Sequence, residues 1–242
     1  MKTMITNLVE NLIGVAIGIR YRPNFTIEDS LGKIIDNILY SRDSFFNPEM
    51  FPEVLTNHSE KILVNKEMGH SLRVNNSDII LELGFIENIS EDYIKKVNSK
   101  FKEQIIDQIL KEFKITQINR IGHIRKYLFT EKDFSKLFLK KTLGDYFPDI
   151  NDISLRFSKK LPKQMSLIKD GVNDYINVIY QIVKKADRNE LFISTDYQLY
   201  YLPYLERASQ IEYEQFINGL EGYNKGEYLN WINDYYGGSS NE

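Results

Sequence analysis

His123 stands among Arg120, Arg125 and Lys126 in the stretch QINRIGHIRKYLF. A histidine flanked by cations has the side chains for metal-independent RNA cleavage, in which the imidazole moves a proton and the cations hold the phosphate. The plainer reading is a strand histidine satisfied by a cross-strand partner. Asp196 is the one carboxylate in the apolar run FISTDYQLYY, where it alternates with Phe192, Ser194, Gln198 and Tyr200. It reads as a solvated or edge-facing acid, with a catalytic or partner-binding acid as the sharper alternative. Metal-assisted hydrolysis wants two or three carboxylates together, and Glu82 in ILELGF is the only comparable strand acid. His58, His70 and His123 include no i, i+4 pair, so no helical zinc spacing exists. The chain has no Cys, which excludes disulfides, thiolate metal sites and Cys nucleophiles. Neither a glycine-rich phosphate loop nor a G-x-S-x-G elbow occurs. The sequence therefore assigns no catalytic residue, no metal ligand and no cofactor.

What it does offer is charge. Residues 1–94 carry 8 basic and 14 acidic side chains, residues 95–185 carry 20 and 10, and residues 186–242 carry 3 and 10. Either the fold interleaves these segments and the charges pair, or a basic face is flanked by acidic ones and steers a polyanion. Within 119–141 the cations Arg120, Arg125, Lys126, Lys140 and Lys141 are the candidate phosphate contacts. Tyr127, Phe129, Phe134 and Phe138 interleave with them, but Phe134 and Phe138 fall on a helical core stripe. A second candidate surface is the C-terminal YNKGEYLNWINDYYGG. There Tyr228, Trp231, Ile232 and Tyr235 share one helical stripe and suit an interface with a protein partner or a second copy. The alternative is that this stripe docks on the chain's own sheet.

These residues need elements to position them. Val15, Ile17, Ile19 and Tyr21 alternate with Gly14, Ala16, Gly18 and Arg20, which predicts a strand with one apolar face. LIGVAIGI is thus a buried strand rather than a targeting segment, too short to span a bilayer. Thr26 is expected to cap a helix bearing Leu31, Ile34, Ile35, Ile38 and Leu39. Short strands follow, with turns at Met68-Gly69 and Asn75-Asn76-Ser77. Ser90 then caps a long helix to about Phe113.

The order then restarts. A strand over QINRIGHIRKYLF leads to a helix capped by Thr130, three further strands, and a helical region from Ser209 to about Tyr235. Shifting by 104 residues lays Ile17 on Ile121, Gly18 on Gly122, Phe25 on Phe129, Thr26 on Thr130 and Asp29 on Asp133, without a gap. The pattern predicts an α+β protein of duplicated β-α-β-β-β(-β)-α units, with units at 1–116 and 117–236 and a tail at 237–242. One or two antiparallel, curved sheets would carry long helices on one side. This element order resembles that of TATA-box-binding-protein-like folds.

Arg120, Ile121, Gly122, Arg125 and Tyr127 resemble the Arg-Ile-Gly-x-Arg-Tyr strand of a sporadically distributed, uncharacterised bacterial family of about this length. Here His123 and Ile124 stand between Gly and Arg, and Lys126 precedes Tyr. The resemblance implies a bacterial source and, from the family's scattered distribution, a defence or toxin-type neighbourhood. The combined expectation is a cytoplasmic protein, not membrane-bound, that works by binding rather than catalysis. Nucleic-acid binding or RNA cleavage through 119–141 is one alternative. A small-ligand sensor with a pocket between helix and sheet is another.

Overall fold

The computed structural model describes residues 11–56, 59–86, 89–130, 152–162, 175–184, 190–206, 213, 216–217 and 220. Strand β1, Leu12–Tyr21, is followed by helix α1, Thr26–Tyr40. Four short strands come next: β2 (Glu53–Thr56), β3 (Glu60–Asn65), β4 (His70–Asn75) and β5 (Asp78–Gly84). Helix α2 (Glu91–Phe101) runs through a π-helical stretch, Lys102–Ile106, into α3 (Asp107–Glu112). The remaining strands are β6 (Gln117–Phe129), β7 (Ile153–Pro162), β8 (Tyr175–Lys184) and β9 (Leu191–Glu206). All nine strands join one antiparallel sheet in the order β2-β3-β4-β5-β1-β6-β9-β8-β7.

The period-two pattern decides which side of the sheet is buried. Val15, Ile17, Ile19 and Tyr21 are nearly inaccessible, as are Ile79, Leu81 and Leu83 opposite them on β5. These residues join one core with Ile27, Leu31, Ile34, Ile35, Ile38 and Leu39 of α1 and with Ile94, Val97, Phe101, Ile105 and Ile109 of the second helical segment. Tyr213, Phe216, Ile217 and Leu220, at i, i+3, i+4 and i+7, are helical and belong to the same core. Each such side chain withdrawn from water stabilises the fold by about 1.5–3 kcal/mol.

The helix starts differ from one another. Ser90 caps α2 as its sequence predicts, its Oγ accepting from the Tyr93 amide at 3.1 Å. Thr26 does not cap α1. Asn24 Oδ1 accepts from both the amide (3.1 Å) and the hydroxyl (2.6 Å) of Thr26, and Phe25 is already helical at φ −70°. The Thr26 hydroxyl thus donates to Asn24, two residues back, and Thr26 becomes the first helical residue. Thr130 lies at the edge of the described residues, and the helix expected after it lies outside them.

The π-helical stretch also has a sequence cause. Val97, Phe101, Ile105 and Ile109 recur every four residues, so each step overshoots a 3.6-residue turn by about 40°. The wider π turn takes up that drift and keeps Ile105 and Ile109 in the core. It also brings Lys102, only 4% exposed, to Asp107 five residues on, at 2.8 Å. No helix among the described residues is long and apolar enough to cross a membrane.

Candidate ligand face of the sheet

Gly14, Ala16, Gly18 and Arg20 of β1 point away from the core, whereas Leu12, beyond the irregularity before Gly14, joins it. Ile80, Ile124 and Ile179 share their side of the sheet, and none belongs to the buried cluster that the helices complete. No described helix packs on this face.

Registers order it into rows that run across the strands, about 7 Å apart, with neighbours about 4.8 Å apart within a row. One row reads Asp78, Arg20, Arg120, Tyr200, Tyr175 across β5, β1, β6, β9 and β8. The next reads Ile80, Gly18, Gly122, Gln198, Asn177, Lys160. A third reads Glu82, Ala16, Ile124, Asp196, Ile179, Ser158. Where the small residues of β1 meet Gly122, the face sinks into an open depression of about 70 Å³. Its lining includes Ile80, Arg120, Ile124, Asp196 and Gln198.

The two central glycines differ. A Cβ on Gly18 would lie 2.8 Å from the Ile79 carbonyl oxygen, so the β5 backbone itself demands glycine there. A Cβ on Gly122 would meet nothing closer than the Tyr197 carbonyl oxygen at 3.9 Å. Packing leaves room for a side chain at Gly122, and its absence deepens the depression.

Beside the depression the polar side chains are linked. Tyr200 donates its hydroxyl to Gln198 Oε1 at 2.8 Å, and Gln198 donates through Nε2 to Asp196. Asn177 Nδ2 also points at Gln198 Oε1, at 3.4 Å. Arg120 lies over the Tyr200 ring, 5.9 Å from its centroid, with an amino group 3.5 Å from the hydroxyl. Tyr200 stacks on Tyr175 at 5.1 Å and 16°, and the Lys160 ammonium lies 4.0 Å from the Tyr175 centroid. Burial raises the Asp196 carboxyl above the ordinary aspartate range, while Gln198, Arg120 and Arg156 pull it back down. Asp196 is thus half-buried on this face and not at an edge.

Of the candidate cations, Arg120 and Lys126 stand on the open face. Lys126 pairs with Glu82 across the small Gly14 and Ala16 of β1. Arg125 points the other way. Its side chain is 6% exposed and grips Glu91, in the first turn of α2, through two bonds of 2.7 and 3.1 Å. Burial opposes its charge, but Glu91 and Tyr127 outweigh burial and hold its pKa above the usual arginine range. Arg125 fastens α2 to β6 and does not reach the open face. Lys140, Lys141, Tyr228, Trp231, Ile232 and Tyr235 lie outside the described residues.

His123 also faces the helices, between Ile17 and Tyr197, at 1% exposure. Among the described residues neither ring nitrogen has a hydrogen-bond partner, so the cross-strand satisfaction expected of it does not occur. Burial, then Arg125, lowers its pKa well below the ordinary imidazole value. It is on the opposite side of the sheet from Arg120 and Lys126. The depression likewise lies on the face opposite that expected for a pocket between helix and sheet.

Sequence reading missed Arg20, Arg156, Lys160, Tyr175 and Tyr200 as members of one surface. A partial signal existed in the mixed face Ser194, Asp196, Gln198, Tyr200 of β9. Only strand order reveals that β1 and β6 lie beside it. Among the described residues, no group of three or more His, Asp or Glu could hold a metal ion. A scan against protein-family models finds none that matches the chain, and a search of curated proteins finds no match.

Proposed function

We propose that this protein works by binding, and that its ligand is a nucleic acid laid across the face of the sheet on which no described helix packs. The observation that carries the reading is the row in which Arg20 and Arg120 continue into the Tyr200–Tyr175 stack. Lys160 of β7 covers the Tyr175 end of that stack, and Arg156, further along β7, acts on Asp196. Arg73 is neutralised by Asp78 at 3.3 Å, and Lys126 by Glu82. Arg20, Arg120, Arg156 and Lys160 then stand against Asp196 and against Glu60, which lies 4.0 Å from Arg73, a positive excess suited to phosphates. The cations come from β1, β6 and β7, not from the contiguous stretch 119–141. The resemblance to the bacterial family extends the proposal to a defence or toxin-type system.

The same reading takes the sheet as two duplicated units, 1–116 and 117–236, in a TATA-box-binding-protein-like order. Support comes from the register of β1 on β6. Gly18 faces Gly122 and Ile19 faces Ile121, so a two-fold axis through the glycine pair relates residues 104 apart. β1 and β6 then open their units from the centre of the sheet, and each later set of strands starts at an edge, at β2 or β7, and returns inward to lie beside its opening strand.

Fluorescence anisotropy with labelled mixed-sequence oligonucleotides over a salt series tests the function. Arg20→Gln, Arg120→Gln, Arg156→Gln and Lys160→Gln should each weaken binding. Each should lower the salt slope by about 0.7 for a single strand, or about 0.9 for a duplex, for every phosphate no longer neutralised. Wild-type protein that binds no oligonucleotide at low salt, or variants with an unchanged slope, would overturn the reading.

A further inference from the structure

Resting on that reading, we infer that the face takes single-stranded nucleic acid, with one base held at a subsite built from Tyr175, Tyr200, Asn177, Gln198 and Asp196. Three observations combine. The first is ring geometry. Tyr175 and Tyr200 already stack on each other and Arg120 lies over the Tyr200 ring from the β6 side, so the outer face of Tyr175 is the one left for a further plane. Lys160 covers the free face of Tyr175 at 4.0 Å. Lys160 is exposed and makes no ion pair among the described residues. A base can therefore displace its ammonium from the ring, and the freed ammonium can turn to the phosphate of the same nucleotide. Base–aromatic stacking of this kind needs an unpaired, splayed base, which a duplex does not present.

The second observation is the polar floor in the adjoining rows. Gln198 and Asn177 are direct cross-strand neighbours, and Asp196 lies two residues along β9. Gln198 Oε1 already receives the Tyr200 hydroxyl and the Asn177 amide, and one Gln198 N–H goes to Asp196. Gln198 is thereby held in one orientation. The Asn177 carbonyl oxygen and the second Asp196 oxygen are left to accept from the donors of a base edge. The third is the floor at Gly122, where a Cβ would fit but none is present. The neighbouring nucleotide can approach the backbone there, between Arg120 and Asp196. A second protein chain would also gain from an aromatic row. It would not require an excess of cations over carboxylates beside a stack capped by lysine, and that charge pattern favours the polyanion.

The test compares one short fluorescein-labelled sequence as single-stranded RNA, single-stranded DNA and duplex DNA. Single strands should bind at least about tenfold more tightly than the duplex. Tyr175→Leu and Tyr200→Leu should each weaken single-strand binding by about 5- to 100-fold. Neither change removes a cation, so the salt slope should stay that of the wild type, while Tyr175→Phe retains binding. Should a leucine variant fail to fold, photocrosslinking of a 5-bromouracil-substituted strand to the wild-type protein decides, with adducts expected on Tyr175 or Tyr200. Equal affinity for strand and duplex with no effect of the leucine variants, or adducts confined to other segments, would overturn the base subsite and leave the nucleic-acid reading standing. No binding to any of the three would overturn both. The RNA and DNA arms identify which sugar the face accepts.

Discussion

Gly18 and Gly122 sit directly opposite each other across the β1–β6 pair, yet packing requires only the first. A methyl at Gly18 would press on the Ile79 carbonyl oxygen and on Ile80 Cγ1, at 2.8 and 2.9 Å. Gly18→Ala should therefore destabilise the protein, by about 1–3 kcal/mol as overpacking does. Gly122→Ala meets no such obstacle and should be neutral or stabilising by about 0.4–1 kcal/mol, because the unfolded chain loses freedom. Urea titration of the two variants checks the asymmetry. Gly122→Val should fold at least as well as Gly122→Ala, since a branched side chain suits a strand, while filling the depression and weakening nucleic-acid binding.

Arg125 and Glu91 make the opposite kind of pair, buried and structural. Glu91→Ala leaves a guanidinium in the core without its carboxylate. The loss should be about 3 kcal/mol, toward the lower end for a broken buried pair because Glu91 is 31% exposed. Replacing both residues by methionine should cost less than the single change. Denaturation midpoints of the single and double variants measure this. At temperatures where they remain folded, their oligonucleotide affinity should match the wild type.

His123 should make stability depend on pH. Its folded pKa lies well below 6.5, so the unfolded chain takes up a proton that the fold refuses. Stability is therefore full above the unfolded value and falls as pH drops through it toward the folded value. The slope is at most about 1.4 kcal/mol per pH unit for one proton. His123→Leu should flatten that slope between about pH 7 and 5, measured as the urea midpoint against pH. A residual slope of the same sign should remain from His70, whose pKa burial also lowers. Identical slopes for wild type and variant would contradict the assignment.

Much of this architecture is legible in the residues. Alternation places Val15, Ile17, Ile19 and Tyr21 on a buried face and Gly14, Ala16, Gly18 and Arg20 on the other, and the structure agrees. Ser90 reads correctly as a cap, its Oγ accepting from the Tyr93 amide. Thr26 misleads because Asn24, two residues earlier, engages its amide and hydroxyl first. Arg125 misleads for a different reason. In the sequence it is one of several neighbouring cations, but a strand sends alternate side chains to opposite faces, so Arg125 and Lys126 cannot serve one surface. The surface itself could not be read from any contiguous stretch. Arg20, Arg120, Tyr200 and Tyr175 meet only through the pairing of β1, β6, β9 and β8, which is a property of strand order.

The central claim is that the ligand lies on the face of the sheet that no described helix covers. Side-chain nuclear magnetic resonance tests it most directly, because the chain supplies reporters on both sides of the sheet. Asn177 and Gln198 carry amides on the open face, and Asn98 carries one on the buried face of α2. Titration of the wild-type protein with a short single-stranded oligonucleotide should move the Asn177 and Gln198 side-chain signals and the Arg120 guanidinium signal together, leaving Asn98 and the Arg125 guanidinium in place. Movement confined to the helix-side signals, or no movement at saturating oligonucleotide, would contradict the account.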